Sequence, residues 1–227
     1  MNSRSLKVVG AALITLSLSH TSVVLSQDIT HFRPVEALGV GDITQPAGCY
    51  SYGTVVLDVL VLENGEVKNV QVRRAIAGLT ETAVRAVRAW SFRPAELDGE
   101  AISSRITVAV TFNPQFTTFQ QVPLPELIRE DDETRIQSAF QPPEVIRAIM
   151  PTFPLGATSI GAVVLTVAVD ENGKGTESEV LRELAPFTPM AVHAVGDWKF
   201  MAATLNGKPL TANVILAFVF PPLQSNP

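Results

Sequence analysis

The sequence predicts an α+β protein made of two copies of one unit, each a three-stranded antiparallel sheet packed by one helix. Three observations support this prediction. The chain aligns with itself without a gap when 53–112 is placed on 161–220, and about 24 of the 60 aligned positions are identical. Each copy carries Asn-Gly between two apolar or mixed runs, and each ends a helical pattern in Trp-x-Phe. Two copies are too few for a solenoid, so we expect two domains.

Each unit begins with a pattern typical of a β-hairpin. The segment TVVLDVLVLENGEVKNVQV (54–72) contains a long apolar run, the turn sequence ENG and a second run. Asn-Gly between two such runs is the strongest short hairpin signal. The glycines expected to mark strand starts and turns are Gly53 and Gly65 in the first copy, and Gly161 and Gly173 in the second.

A helix follows, and an aromatic pair is expected to hold its end. In AVRAVRAW (83–90) the apolar residues fall on one face of a 3.6-residue period and the arginines on the opposite face. Trp90 and Phe92 are expected to clamp the helix end onto the sheet, because burial of two such rings contributes on the order of several kcal/mol. Pro94 blocks continuation of the helix. The matching aromatic pair in the second copy is Trp198 and Phe200.

The third strand is predicted to lie at an edge of each sheet. It follows Gly99 in the first copy and Gly207 in the second. The helix crossover makes strands two and three parallel, so in an antiparallel sheet strand three must pair with strand one, which gives the order 2-1-3. In the first copy this strand, SSRITVAVTF (103–112), carries one charge and no proline, so its edge is poorly protected.

Both predicted sheets leave apolar side chains on the face away from their own helix. Apolar faces of this size seldom stay exposed. We therefore expect the lead-in segments, the linker or the other copy to cover them. The side chains concerned are Val56, Leu60 and Leu62 in the first copy, and Val164, Ile215 and Val219 in the second.

The N-terminal segment, 1–26, resembles an export signal. Arg4 and Lys7 precede a short apolar run, which small and polar residues follow. The run is too short to cross a bilayer unless it extends to Leu25. A cleaved signal would make this an exported protein, and an uncleaved membrane anchor that runs to Leu25 is the alternative.

The rest of the chain divides into three segments. The two domains are predicted at 27–113 and 142–222, and a linker at 114–141 separates them. The linker is rich in proline and acidic residues, with a short helix expected near 125–137. A second short helix is expected at 142–150, where the second domain begins.

Composition excludes several classes of function. The net charge of −5 and the absence of clustered Lys and Arg argue against nucleic-acid binding. With one cysteine, Cys49, no intramolecular disulfide and no Cys/His metal cluster can form. We expect no catalytic residues, no metal and no cofactor. Cys49 is then either a small apolar residue or the site of an intermolecular disulfide, and His193 is a helix-surface residue.

The combined pattern resembles the C-terminal domain of TonB, the periplasmic energy transducer of Gram-negative bacteria. The resemblance rests on the strand after glycine, the Asn-Gly hairpin, and the helix end AWSFRPAELDG (89–99). In the second copy PTFP (151–154) matches the aromatic-proline lead-in, where the first copy has ITQP (43–46). The second copy has Met201-Ala202 in place of Arg-Pro.

The resemblance implies a non-enzymatic periplasmic protein that takes part in energy-coupled transport across the outer membrane. The implied partner is an outer-membrane TonB-dependent receptor or another envelope protein, with an inner-membrane motor complex and a homodimer as further options. An extended receptor peptide would bind by strand addition at the third-strand edge. The predicted binding residues are Arg105, Ile106, Thr107, Val108, Ala109, Val110 and Thr111.

Two interpretations stay open at this point. An envelope interaction module could use the same fold and transduce nothing. Arg85, Arg88 and Arg93 form either a solvated surface or a receptor contact.

Overall fold

The computed structural model describes residues 31–114, 139–154 and 157–222, which form an α+β fold. The predicted signal segment and the predicted helix near 125–137 lie outside the described residues. The N-terminal half contains β1 (Phe32–Arg33), β2 (Glu36–Gly39), β3 (Gly53–Val61), β4 (Val67–Arg74), α1 (Thr80–Arg88), β5 (Ser91–Arg93), β6 (Ala95–Leu97), β7 (Glu100–Ile102) and β8 (Ser104–Phe112). The C-terminal half contains β9 (Phe140–Gln141), β10 (Glu144–Arg147), β11 (Gly161–Val169), β12 (Gly175–Arg182), α2 (Thr188–Val195), β13 (Lys199–Met201), β14 (Ala203–Leu205), β15 (Lys208–Leu210) and β16 (Ala212–Phe220).

One six-stranded sheet runs through both halves. Its strand order is β12-β11-β16-β8-β3-β4. Every neighbouring pair is antiparallel except β16 and β8, which are parallel and join the two halves. Two smaller sheets have three strands each, in the orders β1-β6-β7 and β15-β14-β9, and two further sheets pair β2 with β5 and β10 with β13.

The start of the C-terminal half differs from the sequence prediction. Residues 142–150 were expected to form a helix, but they contain strand β10, in which Val145 lies opposite Phe200 of β13. The prolines at 142 and 143 and the β-branched pair Val145-Ile146 favour extended backbone. Burial of Val145 against β13 then decides in favour of the strand.

The two helices pack on opposite faces of the large sheet. Ala83 and Val87 of α1 share a core with Leu57 of β3, whereas α2 shares a separate core with Leu165 of β11. The strand register explains why the helices lie on opposite faces. Leu216 lies opposite Leu165, on the α2 side, and next to Ala109, which points away from α1. Each half therefore presents its helix-free face on the side where the other half carries its helix.

The helix-free apolar faces are covered, as predicted. Ile215 and Val219 are at most 1% exposed, and they lie in the α1-side core together with Val35 and Ile43 of the N-terminal lead-in. On the other side Val56 shares a core with residues of the C-terminal lead-in and of the C-terminal half. Val164 is also buried, while Leu60 and Leu62 are half-buried.

The aromatic pair at each helix end is buried, which confirms the predicted clamp. Trp90 and Phe92 belong to the α1-side core, with ring centroids 6.5 Å apart. Trp198 and Phe200 belong to the α2-side core at 6.0 Å, and the Trp198 indole N–H donates to the carbonyl of Ile149 at 2.9 Å. The rings thus join helix and sheet within one core.

The two hairpin turns lie directly against the strand that follows each helix. Gly65 has φ of +83° and Gly173 has φ of +77°, a conformation that L side chains rarely adopt. A Cβ at Gly65 would overlap the carbonyl oxygen of Phe92, and one at Gly173 would overlap that of Phe200. Glycine is therefore required at both turns for two separate reasons.

Gly65→Ala is expected to lower the free energy of unfolding by about 3 kcal/mol, because backbone strain adds to the overlap with Phe92. Gly99→Ala is the matched control, since its φ of +85° is similar but open space surrounds its Cβ position. The control should cost only about 1 kcal/mol. Urea denaturation measures both losses, and equal losses would contradict the close approach of the turn to Phe92.

Candidate partner-binding site

The structure corrects the prediction that the third strand of the N-terminal half is an edge. β8 pairs with β3 on one side, from Gly53 opposite Phe112 to Val61 opposite Ser104. On its other side Thr107 to Phe112 pair in parallel with Val214 to Val219 of β16. Of the seven predicted binding residues, Thr107, Val108, Ala109, Val110 and Thr111 therefore lie in a central strand, and only Arg105 and Ile106 extend beyond the partner register.

The side chains of β8 are also engaged in contacts within the chain. Ile106, Val108 and Val110 are at most 2% exposed in the α1-side core. The Thr107 hydroxyl donates to the carbonyl of Pro143 at 2.6 Å, and Thr111 shares a hydrogen bond with Thr54 at 2.9 Å. An unpaired edge flanked by apolar side chains is a liability, and pairing with β16 removes it within the chain. Strand addition at Thr107–Thr111 therefore has no free backbone groups to pair with.

Arg105 lies in a polar network that the sequence reasoning missed. Asp58 of β3 has a side chain only 6% exposed, and its Oδ2 lies 2.9 Å from Arg73 Nη2 and 3.1 Å from Arg105 Nη1. One carboxylate thus holds two guanidinium groups on neighbouring strands. The signal was present in the sequence, because an aspartate interrupts an otherwise apolar strand and a buried charge requires a partner.

The other polar candidates lie on the surface. Arg85 and Arg88 are exposed on α1, and Arg93 is exposed and forms an ion pair with Glu36. His193 is exposed on α2, as expected, and Cys49 is half-buried. Within the described residues, no group of three or more His, Cys, Asp or Glu is placed to hold a metal ion. Nor does this part of the chain contain a helix long and apolar enough to cross a membrane.

The open edges of the large sheet are β4 and β12. In the described part of the chain, neither strand has a neighbour on its outer side. β4 carries Lys68, Arg73 and Arg74 and no acidic residue, and burial lowers the pKa of Arg74, which stays cationic at neutral pH. These strands, rather than β8, present the backbone groups to which an extended segment could pair.

The open edge at β4 lies in a segment of recognisable type. Residues 51–114 match the family model of the Gram-negative bacterial TonB protein C-terminal domain. No curated protein matches the chain. This match covers the N-terminal half from β3 to β8, so membership of the C-terminal half in the same family stays a prediction. We call 51–114 the TonB-type domain. The family that it matches is one of non-enzymatic domains for energy transduction or protein interaction.

Gly53, Gly65, Trp90, Phe92, Pro94 and Gly99 all lie within the TonB-type domain. Trp90 and Phe92 are in its core, and Gly65 is in the turn that contacts Phe92. Gly99 is in the turn between β6 and β7, a short hairpin that the sequence analysis did not predict. Gly53, Gly65 and Gly99 all have positive φ. So do the glycines at the matching positions of the C-terminal half, which are Gly161, Gly173 and Gly207.

Proposed function

We propose that this protein is a TonB-like protein of the Gram-negative envelope that binds an extended segment of an outer-membrane receptor or of another envelope protein. The match of 51–114 to the TonB C-terminal domain carries the proposal. Domains of this type interact with outer-membrane receptors and envelope proteins. The proposal includes a periplasmic location and a part in energy-coupled transport across the outer membrane.

The open edge of the TonB-type domain is the proposed place of binding. Strand addition needs an unpaired row of backbone N–H and C=O groups. β8 has none available opposite β16, whereas β4 has no outer neighbour in the described part of the chain. The regular stretch Asn69–Val72 offers exposed Asn69 and half-buried Gln71 on one face and valines on the other. A partner segment with alternating apolar residues would fit this strand.

The alternative, an interaction module that transduces nothing, also has a specific observation in its favour. The resemblance to TonB implies docking of the receptor peptide on an exposed edge of the domain, and the edge expected for it is β8. In this chain β16 occupies that edge. A protein that fills this edge from within is suited to a different partner or to a different mode of binding.

Site-specific photo-crosslinking in intact cells tests the proposed site. A photoreactive residue at Asn69, exposed on β4, is expected to crosslink to an outer-membrane receptor or another envelope protein. The same residue at Glu81, exposed at the start of α1, is the matched control and should give only background. Absence of any crosslink at Asn69 above the Glu81 background would contradict binding at β4.

Two further measurements separate the transporting role from the non-transducing one. If the protein transduces energy, deletion of its gene lowers receptor-dependent uptake, the intact chain restores it, and the mature protein keeps its N-terminal segment. If the mature N-terminus begins near Gln27 and uptake is unchanged in the deletion strain, the non-transducing module is the correct function.

A further inference from the structure

The two open edges of the large sheet are built alike. β4 and β12 are each eight residues long and form the two ends of the sheet. Each strand has a register shift near both ends. Between the shifts, each edge presents four residues in regular register, Asn69–Val72 in β4 and Glu177–Val180 in β12.

The same two edges carry opposite charge. β4 contains Lys68, Arg73 and Arg74 and no acid, whereas β12 contains Glu177 and Glu179, both exposed. The single cation of β12, Arg182, is already bound to Asp42 of the lead-in, whereas Arg73 of β4 shares the one carboxylate of Asp58 with Arg105. The regular part of β12 thus carries two glutamates. The regular part of β4 carries two uncharged amides, and two arginines follow it in the sequence.

The charged side chains also lie on opposite faces of the sheet. Gln71 is opposite Asp58, to which Arg73 binds, so the polar side of β4 is the face away from α1. Glu179 is opposite Thr166, so the acidic side of β12 is the face on the α1 side. Antiparallel pairing of β4 with the β12 strand of another molecule turns the second sheet over. It therefore brings these two polar sides onto one continuous face.

We propose that this edge complementarity drives head-to-tail association, in which β4 of one molecule pairs antiparallel with β12 of a second copy of the chain. When Gln71 lies opposite Glu179 of the second copy, Arg73 comes next to Glu177, within the reach of cross-strand pairs. The added ladder supplies main-chain hydrogen bonds, and the charges select the register.

Pairing between like edges is disfavoured by the same charges. Two β4 strands would place arginines and lysines side by side, and two β12 strands would place glutamates side by side. Charges and bulges protect an edge against indiscriminate pairing, so only the unlike edge is accepted. Because the two surfaces differ, each added copy leaves one open edge at either end of the assembly. A partner segment bound at β4 would compete with the second copy.

Sedimentation velocity of the full chain over a range of protein concentrations tests the proposal. At low ionic strength the protein should form concentration-dependent assemblies, and about 1 M salt should weaken them because exposed charges are screened. Glu177→Lys with Glu179→Lys should weaken self-association at least about tenfold, since cations then face cations. A wild-type protein that stays monomeric at low salt would overturn the proposal, as would association unchanged by the two lysines.

Rescue makes the test specific. Gln71→Glu alone places a carboxylate opposite Glu179 of the second copy and should also weaken association. Combining Gln71→Glu with Glu179→Lys restores an opposite-charge pair at these two positions and leaves Arg73 next to Glu177, so association should return to the wild-type range. Circular dichroism confirms that each variant is folded. If the combined variant is folded but monomeric, charge complementarity between the edges is not the cause of association.

Discussion

Ile215→Asp is expected to lower the free energy of unfolding by about 4 kcal/mol or more, and to destabilise both halves of the chain together. Ile215 is fully buried on β16, in the core that also contains Val108, Val110 and the lead-in residue Ile43. A carboxylate there would have no cation as a partner in that core, and an unpaired buried charge costs about 3–5 kcal/mol. That loss is a large share of a domain stability of roughly 5–15 kcal/mol.

The two tryptophans provide the readout, because Trp90 lies in the α1-side core and Trp198 in the α2-side core. In a Trp198→Phe background, guanidinium unfolding followed by Trp90 fluorescence should shift to lower denaturant when Ile215 becomes Asp. Thr211→Asp, at an exposed position just before β16, is the control and should change the midpoint little. If the Trp90 transition keeps its midpoint in the Ile215→Asp variant, the two halves do not share a core.

Val108→Pro is expected to destabilise the protein by about 3 kcal/mol or more, and Leu216→Pro by a similar amount. Both residues lie in strands with a neighbour on each side, Val108 between Leu57 and Ile215, and Leu216 between Leu165 and Ala109. Proline has no backbone N–H. In a central strand every N–H faces a neighbouring strand, so proline there removes a ladder hydrogen bond at any position.

Val108→Ala is the control for the lost side chain, since it keeps the N–H and costs only about 1–3 kcal/mol by cavity formation. Chemical denaturation followed by circular dichroism gives both values. We expect proline to lower the free energy of unfolding clearly more than alanine does at both positions. An edge strand would tolerate proline at half of its positions, so no excess over alanine at Val108 would indicate that β8 is not paired on both sides.

Local chemistry made the turns and the helix ends predictable from sequence. Gly65 follows asparagine between two apolar runs, and this pattern indicates a hairpin without knowledge of the rest of the chain. Trp90 and Phe92 end an amphipathic helix, and rings of that size are rarely left in water. The burial of Ile215 and Val219 was predictable for the same reason, because a sheet face that is apolar must be covered.

Short strands and small hairpins were not predictable in this way. β1 and β9 are two residues long, too short to show a period of two. The segment 142–150, which contains β10, was expected to be helical, and so short a segment does not distinguish helix from strand by its periodicity. The Asp58 network was visible only as one charge in an apolar strand, and its two arginines were identified by the fold.

The sequence by itself determined the local elements of this protein: the hairpin at Gly65, the helix before Trp90, the apolar strand at 104–112 and the need to bury both sheet faces. Only the tertiary structure decided that β8 pairs with β16 and that β4 and β12 are the open edges. The reason is physical. Side-chain patterns record which face of a strand is buried, but backbone hydrogen bonds between strands about 100 residues apart are made by groups that every residue carries alike.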